Sequence, residues 1–270
     1  MAEASVERVS AKRSAAVDGV VRWLAEHWLA IVIGLLILYA GLPWLAPVFM
    51  KLGWPGPAQA IYLAYSFMCH QLPQRSYFLF GPKLTYGLPE ISAVWQWRTY
   101  TDLRQFLGTA EMGYKVAYGH RLMAIWTSVL AGSLLFGLAR RRLQPLPFKW
   151  YLLLSLPMVI DGFSHLLTEA VPFLIDWRET NAWFRPLADL LGLEFSPTFY
   201  IDTTIGSLNW ALRTLTGALF GLASVWFAYP YIERGMWIIQ RSLARSQQAA
   251  QDTMTVKKQD VVIATERLGP

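Results

Sequence analysis

Asp161 and His165 stand four residues apart inside an otherwise apolar stretch, one helical turn apart and so on one face. A carboxylate among apolar side chains is costly and normally faces a cavity or a partner. Asp161 is therefore the first candidate for chemistry, with His165 beside it as a candidate general base. The chain's one cysteine, Cys69, is followed at once by His70. A second histidine–cation pair, His120-Arg121, opens another apolar stretch, and Asn209 and Arg213 precede a third, again four apart. Cys69, His70, His120, His165 and Asp161 are of the types that ligate zinc. No CxxC, HxxxH or HExxH spacing accompanies them. Arg121, Arg178 and Arg213, with Asn209, suit an anionic headgroup instead, because guanidinium forks grip phosphate and carboxylate bidentately. Each residue also has a plainer reading. Asp161 could be an internal ion pair with Arg121 or Arg213, His120-Arg121 could snorkel at a helix end, and Cys69 could simply fill space. No Walker loop, dinucleotide fingerprint or serine elbow occurs, and no nucleophile is identified, so whether the chain is an enzyme stays open.

These residues need helices to position them, and the composition says where the helices sit. Apolar residues make up 54% of the 270 residues and charged ones 16%, well below the roughly 25% of soluble domains. With a mean hydropathy of +0.31, the chain has too much apolar surface to hide from water without lipid. One cysteine excludes a disulfide scaffold. The net charge of +6 is read as basic loops on an anionic membrane, so no nucleic-acid partner is expected.

A crossing helix needs about 20 mostly apolar residues. Four stretches qualify: Leu29 to Met50, Leu122 to Ala139, Trp150 to Thr168 with its polar Asp161 and His165, and Thr214 to Ile232. Ala58 to Cys69 is too short to cross and is read as a re-entrant or interfacial helix after the Trp54-Pro55-Gly56-Pro57 turn. Gly217 and Gly221, four apart, mark helix packing. The expected fold is an all-α membrane bundle: a basic amphipathic N-terminus over 1–28, a membrane domain over 29–232, and an amphipathic helix along the inner surface with a flexible tail over 233–270.

Orientation follows the basic residues. The short loop from Arg140-Arg141-Arg142 to Lys149 is the strongest inner signal; Arg8, Lys12, Arg13 and Arg22 before the first span and Arg234, Arg241, Arg245, Lys257 and Lys258 after the last agree with it. Both termini are thus expected in the cytoplasm, with the protein in the cell (inner) membrane. No cleavable signal peptide is read at the start. This topology brings His70, His120, Arg121, Asp161, His165, Arg178, Asn209 and Arg213 to the outer side, and His27 to the other.

The stretch Cys69-His70-Gln71-Leu72-Pro73-Gln74-Arg75-Ser76-Tyr77-Phe78 resembles the "CHQxPxRSfF" signature of the bacterial and archaeal membrane proteins grouped as DUF2085, a domain of unknown function. Pro157-Met158-Val159-Ile160-Asp161-Gly162 is similar to its "PMxIDG" helix. Asn209 through Arg213 to Thr216-Gly217 and Gly221 is similar to its "NxxRxxTGxLfG" block, with the Asn–Arg gap one residue longer. The resemblance covers about residues 60–230. It implies a membrane domain but carries no activity with it. The family pattern also has Cys-x-Arg-Cys at the start of a span, and alignment through Arg121 puts Gly119 and Leu122 at those cysteines. A cysteine–histidine centre would lack two ligands here. The leading expectation is an outer-side polar pocket for a metal ion or an anionic headgroup. The rival is a non-catalytic accessory subunit of a larger membrane complex, with the polar residues as struts between helices.

Overall fold

The computed structural model describes residues 2–140, 142–170 and 180–267. The chain is mostly helical. Helix α1 spans Ala2–Lys51 and α2 spans Pro55–Ser66. A single 3-10 turn, Pro73–Arg75, leads into strand β1, Ser76–Leu79. Short helices α3 (Leu88–Val94) and α4 (Tyr100–Gln105) follow, then β2 (Gly108–Thr109) and β3 (Gly113–Gly119). Next come α5 (His120–Ala139) and α6 (Phe148–Ala170), the short α7 (Arg185–Leu190) and α8 (Pro197–Ile201), and finally α9 (Leu208–Arg267).

Among the described residues, three of these helices are long and apolar enough to cross a membrane: α1 over Ala16–Lys51, α5 over His120–Ala139 and α9 over Leu208–Thr253. They contain the expected spans at 29–50, 122–139 and 214–232. The fourth expected span corresponds to α6, which is a helix of 23 residues but falls outside that set. In α5 the buried residues His120, Met123, Ala124, Ser128, Gly132, Ser133 and Phe136 recur every three or four positions, while Leu134, Leu135 and Leu138 face outward. That is the amphipathic stripe of a helix packed on one side only.

The all-α expectation needs amending. A small antiparallel sheet, ordered β1-β3-β2, pairs Ser76 with Gly119, Phe78 with Lys115 and Leu79 with Tyr114. Glycine is required at its corner: Gly108 and Gly113 have φ of +112° and +80°, and a Cβ on Gly108 would lie 2.0 Å from the Gly113 oxygen. Leu72, Phe78, Tyr86, Ile91, Leu103 and Phe106 form a compact core beneath the segments around this sheet. A second core joins Ala46 of α1 and Ala58, Tyr62 and Tyr65 of α2 to Val116, Ala117 and Tyr118 of β3.

The chain divides into two compact units, residues 33–228 and the paired ends 1–32 with 229–270. In the second unit Trp28 Nε1 donates to Glu233 at 2.8 Å, the Trp28 ring meets Tyr229 edge-on, and Gln240 Nε2 donates to the Ala25 carbonyl at 2.8 Å. The first and last helices therefore lie antiparallel there. Helix α9 continues through Pro230 and on through Gln251 to Arg267.

Candidate functional site

The sheet explains how the distant sequence blocks meet. Pairing of Ser76 with Gly119 places the Cys69–Arg75 segment beside the residues that open α5. Strand β3 ends at Gly119 and α5 starts at His120, with no loop between. Helix α2 ends at Ser66, three residues earlier than the expected limit at Cys69, and Cys69-His70-Gln71 forms an irregular link. Gln71 is buried at φ +50°, a left-handed conformation that a non-glycine residue adopts only when its surroundings insist. Its Nε2 donates to the Tyr62 carbonyl at 2.8 Å, and its own carbonyl accepts from Lys115 Nζ at 2.8 Å.

A pocket of about 130 Å³ lies at this junction, lined by Met68, Cys69, His70, Gln71, Leu72, Arg75, Gly119, His120, Arg121, Leu122 and Arg213. Cys69 Sγ accepts from the backbone N–H of Gln71 and of Gly119, each at 3.4 Å. His120 is 1% exposed, with the Ser76 backbone against its ring and the Tyr77 ring centroid 4.6 Å from its own. Gly119, the N-cap of α5, offers no side-chain cap, and the first-turn residues Gly119 to Leu122 line the pocket at the positive end of the helix dipole.

Behind the pocket the arginines are held by α6. Arg121 Nη2 donates to Asp161 Oδ2 in a close ion pair, with Asp161 5% exposed. Arg213 Nη2 lies 3.0 Å from His165 Nε2. Arginine has no acceptor, so His165 Nε2 accepts and its proton sits on Nδ1. The 3.9 Å separation of His165 Nε2 from Asp161 Oδ1 is then not an ion pair. Close helix packing sets the arginines' spacing: a Cβ on Gly221 would sit 2.0 Å from Ser128 Oγ, and one on Gly217 2.9 Å from the Arg121 carbonyl. The two glycines let α9 approach α5 as their spacing suggested.

Cys69, His70, His120, Arg121 and Arg213 thus line one pocket, with Asp161 and His165 in its supporting layer. Asn209 does not reach it. Its Nδ2 donates to the Asp202 carbonyl at 3.1 Å, and Asn181 Nδ2 holds the Tyr200 carbonyl at 2.6 Å, so both brace the segment before α9. Arg178 lies outside the described residues. Among the described residues no three His, Cys, Asp or Glu side chains converge closely enough to hold a metal ion, so the zinc-type donor set does not assemble there.

Two participants were missing from the sequence-based candidates. Arg75 lines the pocket, its position set by the 3-10 turn. Lys115 is fully buried and donates to the Gln71 and Arg104 carbonyls, at 2.8 and 2.6 Å, while Tyr62 Oη donates to the Lys115 carbonyl at 2.5 Å. Burial pushes its ammonium down to about 7; Cys69 opposes that shift and Arg104 adds to it. The strand signal in Gly-Tyr-Lys-Val-Ala-Tyr-Gly, β-branched and aromatic residues bounded by glycines, was the clue to its place.

No family model matches the chain, and no solved structure matches it. The chain is similar to an uncharacterised protein of Methanocaldococcus jannaschii, 29% identical over 151 residues that cover 53% of this chain and 76% of the relative. The observations that remain to be explained are thus those of the pocket itself: a small basic chamber at the mouth of a membrane-type helix.

Proposed function

We propose that this chain is a four-span membrane protein, related to the DUF2085 group, whose pocket binds an anionic group such as a phosphate or carboxylate headgroup on the outer side of the cell membrane. The observation that carries the reading is the lining. Arg75, Arg121, Arg213, His70 and His120 meet at the N-terminus of α5, and among the described residues lining the pocket there is no carboxylate. An anion gains from guanidinium forks and from uncapped N–H groups, whereas a metal ion would meet only repulsion from them. Asp161 neutralises Arg121 from behind and aims it, without filling the chamber.

The fourth crossing is argued from parity. The contacts of Trp28 with Glu233 and of Gln240 with Ala25 make α1 and α9 antiparallel neighbours there, which supports a reading with the start of α1 and the end of α9 on one side of the membrane. Three crossings would separate them, so a fourth is needed, and α6 supplies it. Its Leu152, Leu156, Val159, Ile160 and Phe163 face outward, as a lipid-facing stripe would, with Asp161 and His165 turned inward. The basic loop between α5 and α6 then lies inside, with both termini, and the pocket outside. Labelling Cys69 in intact cells with an impermeant thiol reagent tests this. Modification only after the membrane is opened overturns the orientation.

Binding is tested by thermal unfolding of the purified full-length protein with phosphate, supplied as the inorganic ion or as phosphatidic acid in the micelle. A saturable rise in midpoint that is lost in Arg75→Gln and His120→Phe supports the reading. No response to either form, with stabilisation by zinc, overturns it. The accessory-subunit reading draws on a separate feature, the exposed Leu187, Leu190, Leu191 and Leu193 between α6 and α9. Stoichiometric partners retained in mild detergent would favour it.

A further inference from the structure

Resting on the anion-binding reading above, we infer that the anion enters the pocket together with a proton, and that Lys115, buried one layer behind the lining, is the group that takes it up. The position of Lys115 carries this. Its side chain is fully buried, and among the described residues no carboxylate pairs with it. Its Nζ donates to the carbonyls of Gln71 and Arg104, at 2.8 and 2.6 Å, and the Tyr62 ring centroid lies 5.9 Å away. Gln71 is itself part of the pocket wall. A buried ammonium without a counter-ion is costly, because carbonyl dipoles replace only part of the hydration it has lost. An anion in the chamber supplies that counter-charge.

The contacts also let the group change charge without moving. A neutral amine keeps two N–H donors, which match the two carbonyls, and the ammonium adds a third. The wall has no need to rearrange when the proton comes or goes. Gln71 stiffens it further, with its backbone held at φ +50° and its Nε2 bonded to the Tyr62 carbonyl. What changes is the field across the wall. Burial brings Lys115 down to about 7, so before binding it is close to half protonated at neutral pH. An opposite charge nearby favours the protonated form by about tenfold or more. Binding therefore draws a proton from solvent onto Nζ, an amine becoming an ammonium.

The groups that face Lys115 decide the controls. On α2 it meets the Tyr62 phenol, whose Oη donates to the Lys115 carbonyl. In the link it meets Cys69, whose charge favours the ammonium, and on α4 Arg104, whose charge opposes it. Arg104 Nη2 is engaged by the Ser66 carbonyl at 2.8 Å. Phe78, opposite on β1, and Leu107, whose carbonyl accepts the Lys115 N–H, carry no charge. Cys69 and His70 line the pocket and bear protons of their own, so each is replaced in turn.

The test is calorimetric titration of the full-length protein in detergent with sulfate and with inorganic phosphate. Runs from pH 6 to 9, in buffers of different ionisation enthalpy, count the protons taken up per anion bound. The wild type is expected to take up about half a proton near pH 7.5 and to bind nearly tenfold more weakly at pH 9 than at pH 6. Sulfate does not titrate in this range, and the ionisation of phosphate cancels in the difference from Lys115→Met. In Lys115→Met the sulfate affinity is expected to be independent of pH. His70→Gln and Cys69→Ser decide the matter should Lys115→Met not fold. Uptake per anion that persists in both supports Lys115, and its loss in either assigns the proton to that residue and overturns the inference. Anion binding without uptake, or with uptake intact in Lys115→Met, also overturns it and leaves the anion site standing. Neither ion binding at any pH removes both.

Discussion

Replacing Asp161 separates the structural from the functional side of the site. In the wild type its carboxylate is 5% exposed and paired with Arg121, whose side chain is 22% exposed. Asp161→Ala leaves a half-buried guanidinium without its partner, and breaking such pairs costs about 3–5 kcal/mol. Arg121 retains some access to the pocket and to solvent, so the lower end, about 3 kcal/mol, is expected. That corresponds to a drop in unfolding midpoint of roughly 6–12 °C for a chain of this size. Asp161→Asn keeps the shape and a hydrogen-bond acceptor and is expected to lose less. Pairing Asp161→Leu with Arg121→Met removes both charges, and a double-mutant cycle should then recover much of the loss. The same substitution acts oppositely on the ligand. Arg121 Nη2, released from the carboxylate, turns one more donor to the pocket, so folded Asp161→Asn should bind phosphate more tightly, by about tenfold. Differential scanning fluorimetry reads the first effect and a phosphate-lipid titration the second. A metal centre using Asp161 predicts the reverse, a loss of binding. Weakened anion affinity in a well-folded Asp161→Asn protein would refute the reasoning.

Three more outcomes follow from the geometry. Lys115 keeps fewer protons when folded than when unfolded between pH about 7 and its ordinary value near 10.5, so stability should rise with pH across that window; midpoints measured from pH 6.5 to 10 should lose much of that rise in Lys115→Met. Gly221→Ala places a methyl where Ser128 Oγ lies 2.0 Å and the Ile125 carbonyl 2.6 Å away, forcing α5 and α9 apart at a cost of about 1–3 kcal/mol, read as a lower unfolding midpoint. A Cβ at Gly119 would lie 3.6 Å from Cys69 Sγ, so Gly119→Cys should form a disulfide under mild oxidation, seen as loss of both free thiols by mass spectrometry; persistence of both thiols would show that the strand and the Cys69 link are further apart than described.

The membrane helices were legible because their signal is local. Twenty apolar residues in a row mean the same thing whatever they pack against, and α1, α5 and α9 contain the expected stretches. Asp161 and Arg121 were recognisable as a pair to be reckoned with, because a charge at that depth needs an answer. The sheet was not read, for the opposite reason. β2 is two residues long, and β3 finds its partner β1 about forty residues upstream, a pairing without local periodicity. Missing it hid Arg75 and Lys115, whose roles exist only once Ser76 lies against Gly119. Asn209 misled because spacing from Arg213 says which helix face a residue shares, not which level of the structure its side chain serves.

The direct passage from β3 into α5 at Gly119–His120 has a mechanical consequence. A loop at that point would act as a slack joint, absorbing any displacement of the sheet. Here the hydrogen-bonded ladder stops and the helical one starts across a single peptide bond. The sheet is the handle and α5 the shaft, with Arg121 fixed on the shaft one residue below the grip. A force applied to the sheet, by a partner pulling on the strands or by a ligand wedged against His120, is delivered as a push or turn of the whole helix towards the loop before α6. The pocket therefore sits where an event at the sheet has its shortest rigid route along α5.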